Sequence, residues 1–103
     1  MTRKISNQAA AAFFAGRNFR AGNTEVCAYM GGLVELCLHG HKIASYGKYG
    51  DRHVRFTLAG WNTITTKDRL RALGIDVRNV RGQPTWEGTK ISANQSYDSG
   101  IIA

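Results

Sequence analysis

The sequence predicts an α+β fold with an antiparallel sheet of about five to six strands, an N-terminal helix and a short second helix. A run of helix-forming residues lies near the N-terminus, and two β-prone runs flank the dipeptide Gly31-Gly32. Apolar and polar residues alternate along residues 53–60. The expected element order is α-β-β-β-β-α-β-β, and this grouping of strands is typical of α+β proteins.

The first helix is expected over residues 7–15, whose sequence NQAAAAFFA consists mostly of strong helix formers. Ser6 is a suitable N-cap residue, and Gly16 can end the helix in the left-handed conformation. Phe13 and Phe14 give this helix apolar side chains to bury. The residues that follow, 17–23, are expected to form a loop.

Residues 24–30 and 33–39 are expected to pair as a β-hairpin across Gly31-Gly32. A two-residue type I′ turn requires positive φ at both central residues, which glycine adopts readily. The predicted pairs are Met30–Leu33, Ala28–Glu35, Val26–Cys37 and Cys27–Leu36. In this register the two cysteines, Cys27 and Cys37, fall on opposite faces of the ribbon and remain unbonded.

Two further strands are expected at residues 42–46 and 53–60. The second of them alternates clearly between apolar and polar residues. Its apolar residues are Val54, Phe56 and Leu58, and its polar residues are His53, Arg55 and Thr57. We therefore expect one face of this strand to pack on the core and the other, cationic face to meet solvent or a ligand.

The stretch GWNTITTKDRL leads into the second helix, which is expected over residues 66–73 and ends near Gly74. Thr65 or Thr66 is the expected N-cap, and Asp68 completes an approximate capping box with Thr65. The outer face of this helix is expected to carry three cations. These are Lys67, Arg69 and Arg71.

Strands at residues 75–80 and 85–91 complete the predicted sheet, separated by the turn sequence RGQP. For Trp61 and Trp86, a position in the core is the commoner interpretation. Residues 92–103 are mostly polar and are expected to form a loosely held C-terminal tail. The expected organisation is a single α+β domain over residues 1–91 followed by this tail.

Length and composition limit the class of protein. The chain has 103 residues, enough for one domain with a modest core, and its apolar fraction of 43% excludes a disordered chain. Fourteen basic and 7 acidic residues give a formal net charge of +7, which favours polyanionic partners or acidic protein surfaces. No apolar run is long enough to span a membrane, and we expect a cytoplasmic protein with reduced thiols.

Three segments, GNTEV, LHGHKIA and AGWNTITTKDRL, occur in this order between residues 22 and 73. They resemble a pattern of small phage-encoded proteins of uncharacterised function: GNT-x-V, L-H-G-x-x-I-A and G-W-x-T-x-T-T-x-x-R-L. The resemblance covers about half of the chain. It implies a phage or prophage origin, a small accessory role and, for a phage-encoded protein, a location in the host cell cytoplasm. It implies no catalytic residue.

A metal site and an enzyme are the less favoured alternatives. Cys37, His39 and His41 would share one face of a continuous strand, and His53 could complete four zinc ligands. A glycine and a lysine interrupt this alternation, so we expect neither metal nor cofactor. The sequence contains no G-x-S-x-G, P-loop or paired-carboxylate motif, and we expect no enzymatic activity. A histidine acting as the general base of a nuclease is the remaining catalytic alternative.

Basic residues interleaved with aromatic ones predict binding of nucleic acid, either DNA or RNA, through a cationic face of sheet and helix. The predicted binding residues are Lys48, Tyr49, Arg52, Arg55, Lys67, Arg69, Arg71, Arg78 and Arg81. Four of them, Lys48, Arg55, Arg69 and Arg71, would form one positive surface if the second helix lay beside residues 53–60. The alternative function is a non-enzymatic inhibitor or adaptor that binds a host protein.

Overall fold

A six-stranded antiparallel sheet and a separate three-stranded sheet, together with two helices, make up the computed structural model, which describes residues 3–103. The elements in chain order are α1 Lys4–Ala15, β1 Phe19–Ala21, β2 Thr24–Ala28, β3 Leu33–Leu38, β4 His41–Gly47, β5 His53–Phe56, α2 Ile64–Ala72, β6 Val77–Val80, β7 Gln83–Trp86, β8 Thr89–Lys90 and β9 Tyr97–Ile102. The large sheet has the order β1-β2-β3-β4-β5-β9, and the small one β6-β7-β8. The predicted α+β class is therefore confirmed.

The core lies between one face of the large sheet and the two helices. Phe13 of α1 is fully buried and meets Tyr46 of β4 edge to face, with ring centroids 4.9 Å apart. The Tyr46 hydroxyl donates a hydrogen bond of 2.6 Å to the carbonyl oxygen of Phe13, so the polar end of this ring is satisfied inside the core. Leu70 of α2 and Phe56 of β5 are buried in the same cluster.

The β2–β3 hairpin exists, but its predicted register is wrong by one residue. The observed pairs are Thr24–Leu38, Glu25–Cys37, Val26–Leu36, Cys27–Glu35 and Ala28–Val34. This register puts Val26 on the same buried face as Val34, Leu36 and Leu38, whereas the predicted one would have turned Val26 away from them. Burial of one continuous apolar face therefore overrides the two-glycine turn, and a longer connection joins the strands.

A tight two-residue turn with positive φ at both positions occurs instead between β3 and β4. His39 has φ 52° and Gly40 has φ 78°, and Leu38 pairs directly with His41 across them. A histidine in the left-handed region is uncommon, and here it fits the twist that such hairpin turns share. The turn fixes the direction in which His39 and His41 leave the sheet.

The two cysteines are free, as predicted, but they share the outer face of the large sheet. Cys27 lies opposite Glu35 and Cys37 opposite Glu25, so the cysteines are diagonal neighbours. Diagonal positions in an antiparallel pair are about 7–8 Å apart, more than a disulfide usually spans. Burial, reinforced by the nearby acidic groups, raises the pKa of the Cys37 thiol to about 11. The prediction of opposite faces followed from the wrong register.

Both helices begin at residues other than the predicted ones. Helix α1 starts at Lys4, and Ser6, the predicted N-cap, lies inside its first turn and is buried. Helix α2 is capped by Thr63, whose Oγ1 accepts a hydrogen bond from the backbone N–H of Thr66. Thr65 and Thr66 are therefore helical residues, and Asp68 does not form a capping box.

The C-terminal residues are held in the sheet, so the predicted loose tail at residues 92–103 is wrong. Strand β9 pairs with β5, and Tyr97 lies opposite Phe56. The Tyr97 ring is 5.7 Å from that of Phe56 and 6.3 Å from that of Trp86. These aromatic contacts explain how a mostly polar segment acquires a fixed position.

The last predicted strand is instead a hairpin, because β7 and β8 are joined by the turn Glu87-Gly88. Together with β6 they form a small antiparallel meander. One face of this meander packs inward through Val77 and through Trp86, which contacts Phe56 at 5.2 Å. Its other face remains available to solvent.

Candidate functional site

Two of the predicted binding cations lie in the interior. The side chains of Lys67 and Arg69 are each only 4% exposed. Arg69 donates from Nε to Thr24 Oγ1 at 2.9 Å and from Nη1 to Ser6 Oγ at 2.7 Å. It therefore ties α2 to β2 and α1, and it cannot contribute to an exposed cationic face.

Asp68 balances this buried guanidinium. Its Oδ2 lies 3.6 Å from Arg69 Nη1, accepts a hydrogen bond of 3.1 Å from the backbone N–H of Arg3, and also accepts one from the Ser6 hydroxyl. Burial acts to raise the pKa of Asp68, but these hydrogen bonds and the charges of Arg3 and Arg69 outweigh it and lower the pKa. Asp68 of α2 therefore accepts a hydrogen bond from one of the backbone N–H groups at the N-terminus of α1, which have no partner within their own helix.

Arg55 lies on the outer face of the large sheet, where acidic groups offset its charge. It forms an ion pair of 3.0 Å with Asp51. Asp98 lies opposite it on the adjacent strand β9, and Glu35 lies two strands away on β3. The hydrogen bond from the backbone N–H of His53, followed by that from Arg55, lowers the pKa of Asp51. The outer face is therefore of mixed charge.

The predicted surface of Lys48, Arg55, Arg69 and Arg71 does not form. Arg55 projects from the outer face of the sheet, whereas Arg69 reaches Thr24 on the buried face. Lys48 donates from Nζ to the carbonyl oxygen of Gly16 at 3.0 Å, which places it at the end of α1. The prediction failed because it placed α2 beside the outer face of residues 53–60.

The other predicted residues are distributed between two regions. Arg52 donates to the carbonyl oxygens of Lys48 and Ala103, and Tyr49 beside it is 80% exposed. On the small sheet, Arg78 pairs with Asp76 at 2.9 Å. Arg71 donates to the carbonyl oxygen of Val77 at 3.3 Å, next to that sheet. Arg81 is exposed at the turn between β6 and β7.

The outward face of the small sheet forms a shallow depression of about 380 Å³, which we call the basic groove. It is lined by Val80, Arg81, Gln83, Thr85, Gly88 and Lys90. Among the described residues no acidic side chain lines it, and Arg81 and Lys90 have no acidic partner within ion-pair distance. Val80 at its edge is 55% exposed. The groove thus combines two available cations with polar and apolar surface.

The shape of the basic groove depends on its turns and on Gln83. Arg81 and Gly82 both have positive φ, so they form a tight turn from which the Arg81 side chain projects. The Gln83 side-chain nitrogen donates at 2.9 Å to the carbonyl oxygens of both Pro84 and Ile91. These bonds hold the floor of the groove to the segment that follows β8.

A second, smaller cavity of about 180 Å³ lies at the N-terminal end of α2, and we call it the His–Trp pocket. Strands β3 and β4 and the turn between them contribute Leu38, His39, His41 and Ile43. The loop before α2 and the first turn of that helix contribute Trp61, Thr63, Thr65 and Thr66. Leu38 and Ile43 are buried and form its apolar part, whereas Trp61 is 53% exposed.

Hydrogen bonds fix most of the polar groups around this pocket. Thr63 caps α2 and lies 2.9 Å from the Thr66 hydroxyl. The His39 ring nitrogen Nε2 is 3.2 Å from the side-chain amide of Asn23. The His41 ring packs beside the Trp61 ring, with centroids 5.9 Å apart. The rim is therefore preorganised, while one face of Trp61 remains open.

Asn62 connects the His–Trp pocket to the basic groove. Its side-chain nitrogen donates to the carbonyl oxygen of Gly82 at 3.2 Å, and its side-chain oxygen accepts a bond of 2.7 Å from Lys67 Nζ. Desolvation, together with the nearby Arg71 charge, lowers the pKa of Lys67. This bridge holds the loop that carries Trp61 against the turn that carries Arg81.

The four side chains considered as zinc ligands, Cys37, His39, His41 and His53, do not form a metal site in the described residues. Within residues 3–103, no group of three or more His, Cys, Asp or Glu side chains is placed to hold a metal ion. Cys37 points to the outer face of the sheet, and His53 contacts Asp98 at 3.0 Å on β9. No helix in the described part of the chain is long and apolar enough to cross a membrane.

Sequence reasoning missed the His–Trp pocket as a unit, although most of its residues lie in the segments LHGHKIA and AGWNTITTKDRL. Their meeting depends on the β3–β4 turn and on Trp61 being exposed, contrary to the expected core position. Lys90 was missed because a single lysine in a short strand gives no pattern. The signal that could have found the pocket was the concentration of polar and aromatic residues in those two segments.

Comparison with known proteins identifies a family for this chain. A search of curated proteins found no similar chain, and a search of solved structures found none either. A family model described as Kyanoviridae Gp96 protein matches residues 2–102. This confirms the expectation of a small phage protein. Since the match covers nearly the whole sequence, the chain belongs to the Kyanoviridae Gp96 family.

Proposed function

We propose that this phage protein binds nucleic acid, without catalysing a reaction, through the basic groove and the exposed Trp61 beside it. The observation that supports this proposal is a groove with two available cations, Arg81 and Lys90, and no acidic lining residue in the described chain. Cations placed in this way neutralise phosphates and release their counterions. Arg71, which donates to the carbonyl oxygen of Val77, adds positive charge next to the small sheet, whereas Asp76 offsets the charge of Arg78.

The neighbouring aromatic group favours an unpaired strand. Trp61 is 53% exposed, and Asn62 and Gly82 hold it close to the groove. Proteins that bind single strands combine a positive groove for the backbone with aromatic side chains on which bases stack. In the host cell cytoplasm such a protein would meet both single-stranded DNA and RNA, and the proposal includes both.

Removal of the two groove cations provides the test. The double change Arg81→Ala with Lys90→Ala should weaken binding of a single-stranded oligonucleotide. It should also reduce the steepness of log K plotted against log[salt] by about 0.7 for each lost phosphate contact. Fluorescence anisotropy across a salt series measures both quantities. The matched control is Arg17→Ala with Arg20→Ala, which removes the same charge from exposed positions outside the groove.

Two outcomes would contradict the proposal. One is that the wild-type protein binds neither single-stranded DNA nor RNA at about 50 mM salt, a concentration at which phosphate contacts are strong. The other is that the control pair weakens binding as much as the groove pair, which would mean that net charge alone is responsible. If no nucleic acid binds but a host protein is captured after nuclease treatment, the function is that of a host-protein inhibitor or adaptor.

A further inference from the structure

We propose that the His–Trp pocket receives a single unpaired nucleobase of the strand whose phosphates lie in the basic groove. This inference rests on the proposed function and adds to it a second, chemically different site. Three properties of the pocket carry it: its size, its aromatic and apolar walls, and the polar groups that remain available at its rim.

The size of the pocket fits one ring system. Its volume of about 180 Å³ is well below the roughly 300–1,000 Å³ of cavities that hold drug-sized ligands. Leu38 and Ile43 supply an apolar floor, and the half-exposed Trp61 ring supplies a flat wall beside His41. A planar heterocycle can stack on such a wall and cover the apolar floor at the same time.

The charge of the lining favours a base over a phosphate. Across residues 3–103, no Lys, Arg, Asp or Glu side chain lines the pocket. Arg3 touches only its rim, where Nη1 lies 3.4 Å from Thr65 Oγ1. An anion placed inside would therefore lose its hydration without gaining a compensating charge, and such a loss is costly.

Polar groups at the rim of the pocket remain available to form hydrogen bonds with the edge of a base. In the described part of the chain, the ring nitrogens of His41 make no hydrogen bond. Thr65 accepts a bond from Arg3 but keeps its own hydroxyl proton to donate. Extruded bases in other proteins are held in this way, by stacking on apolar and aromatic side chains and by hydrogen bonds along one edge.

The position of the pocket connects it to the same strand. The Asn62 bridge fixes the loop carrying Trp61 to the Arg81-Gly82 turn of the basic groove. A strand bound in the groove can therefore extend toward the pocket. Phosphates and a base can then be bound by neighbouring parts of one surface, as in single-strand-binding proteins.

A comparison of base-containing and abasic strands separates the contribution of the base to affinity from that of the backbone. The base-containing strand is a single-stranded oligodeoxynucleotide, tested with each of the four bases, and the abasic strand has the same length and charge. For wild-type protein, the preferred base should bind about tenfold more tightly than the abasic strand, since stacking contributes about 1–3 kcal/mol per base. Equal affinity for all strands would overturn the inference and the contribution of Trp61, while leaving nucleic-acid binding by the basic groove standing.

Variants assign the difference to the pocket. Trp61→Ala and His41→Ala should each bring the ratio of the affinities for the base-containing and abasic strands close to one. The groove pair Arg81→Ala with Lys90→Ala should weaken both strands and keep the ratio. The matched control is Tyr49→Ala, which removes an aromatic ring that is 80% exposed but outside both sites. If Trp61→Ala leaves the ratio intact, the base lies elsewhere and the inference is wrong.

A free nucleoside tests the pocket independently of the groove. In a titration followed by NMR, the indole N–H resonance of Trp61 should shift while that of Trp86, half-buried against Phe56, stays in place. This measurement decides the matter even if neither strand binds, in which case the proposed function has failed. A shift confined to Trp61 then supports the pocket, and no shift with any of the four nucleosides overturns it.

Discussion

At the scale of single residues, the most informative difference between expectation and structure concerns Lys67 and Arg69. Charged residues on a short helix are nearly always exposed, and the sequence pattern therefore placed both on an outer face. The partners of Arg69 are Thr24 and Ser6, which lie 45 and 63 residues away in the chain. No local pattern contains such distant contacts, so the buried charge could be found only from the fold.

Asp68 gives the residue-scale prediction. Asp68→Asn should lower the free energy of unfolding by about 3 kcal/mol, because it leaves the buried Arg69 charge without its carboxylate. Urea unfolding at neutral pH measures this loss. Asp76→Asn, the matched control, breaks an exposed pair with Arg78 and should cost less than about 1 kcal/mol. Equal losses in the two variants would show that burial of the Asp68 pair has no energetic consequence.

The pH dependence provides a second measurement on Asp68→Asn. The pKa of Asp68 in the folded protein is lower than in the unfolded chain, where it is about 3.9. The stability that this carboxylate contributes is therefore present above pH 4 and is lost as the pH falls through its folded pKa. The difference between wild type and variant should narrow below about pH 4. A constant difference down to pH 2 would contradict a lowered pKa.

At the scale of elements, the sequence predicted which segments are strands better than how they pair. The β2–β3 hairpin was recognised from Gly31-Gly32, yet the tight hairpin turns with two positive φ values lie at His39-Gly40, Arg81-Gly82 and Glu87-Gly88. Each has a glycine only at its second position, a weaker signal than two adjacent glycines. The alternation along β5 was predicted correctly, because it depends on one strand alone and not on a partner.

The two glycines of the β2–β3 connection should differ in their tolerance of substitution. Gly32→Ala should destabilise the protein by about 1–2 kcal/mol, because φ is 93° there and an added Cβ would lie 2.6 Å from the Tyr49 ring. Gly31→Ala should be neutral or slightly stabilising, since its φ is not in the left-handed region and nothing lies within 4 Å. Thermal unfolding of both variants measures the difference. Similar losses at both positions would favour the predicted type I′ turn.

At the scale of the whole molecule, the predicted fold class was correct, but the division of the strands into two separate sheets was missed. Residues 75–91 were expected to extend the main sheet, but they form a separate meander whose inner face packs through Val77 and Trp86. The sequence marks these strands but contains no signal that says which sheet they join. That choice creates the basic groove, and for this reason Arg81 was predicted from the sequence, whereas the groove and the place of Lys90 in it were not.

Strand β9 gives the whole-molecule prediction, because it completes the large sheet at the edge of β5. Removing residues 97–103 should lower the unfolding temperature, since it strips Tyr97 from the Phe56 and Trp86 rings and exposes an unpaired strand edge. The truncated chain should also aggregate more readily, which size-exclusion chromatography detects.

The control for this truncation is Tyr97→Ala in the full chain. It removes the same aromatic contacts but keeps the backbone pairing with β5, so it should lower the unfolding temperature without promoting aggregation. A truncated protein that melts and elutes like the wild type would mean that the C-terminal residues are the loosely held tail that their polar composition suggested. The mostly polar strand would then contribute neither packing nor protection of the β5 edge.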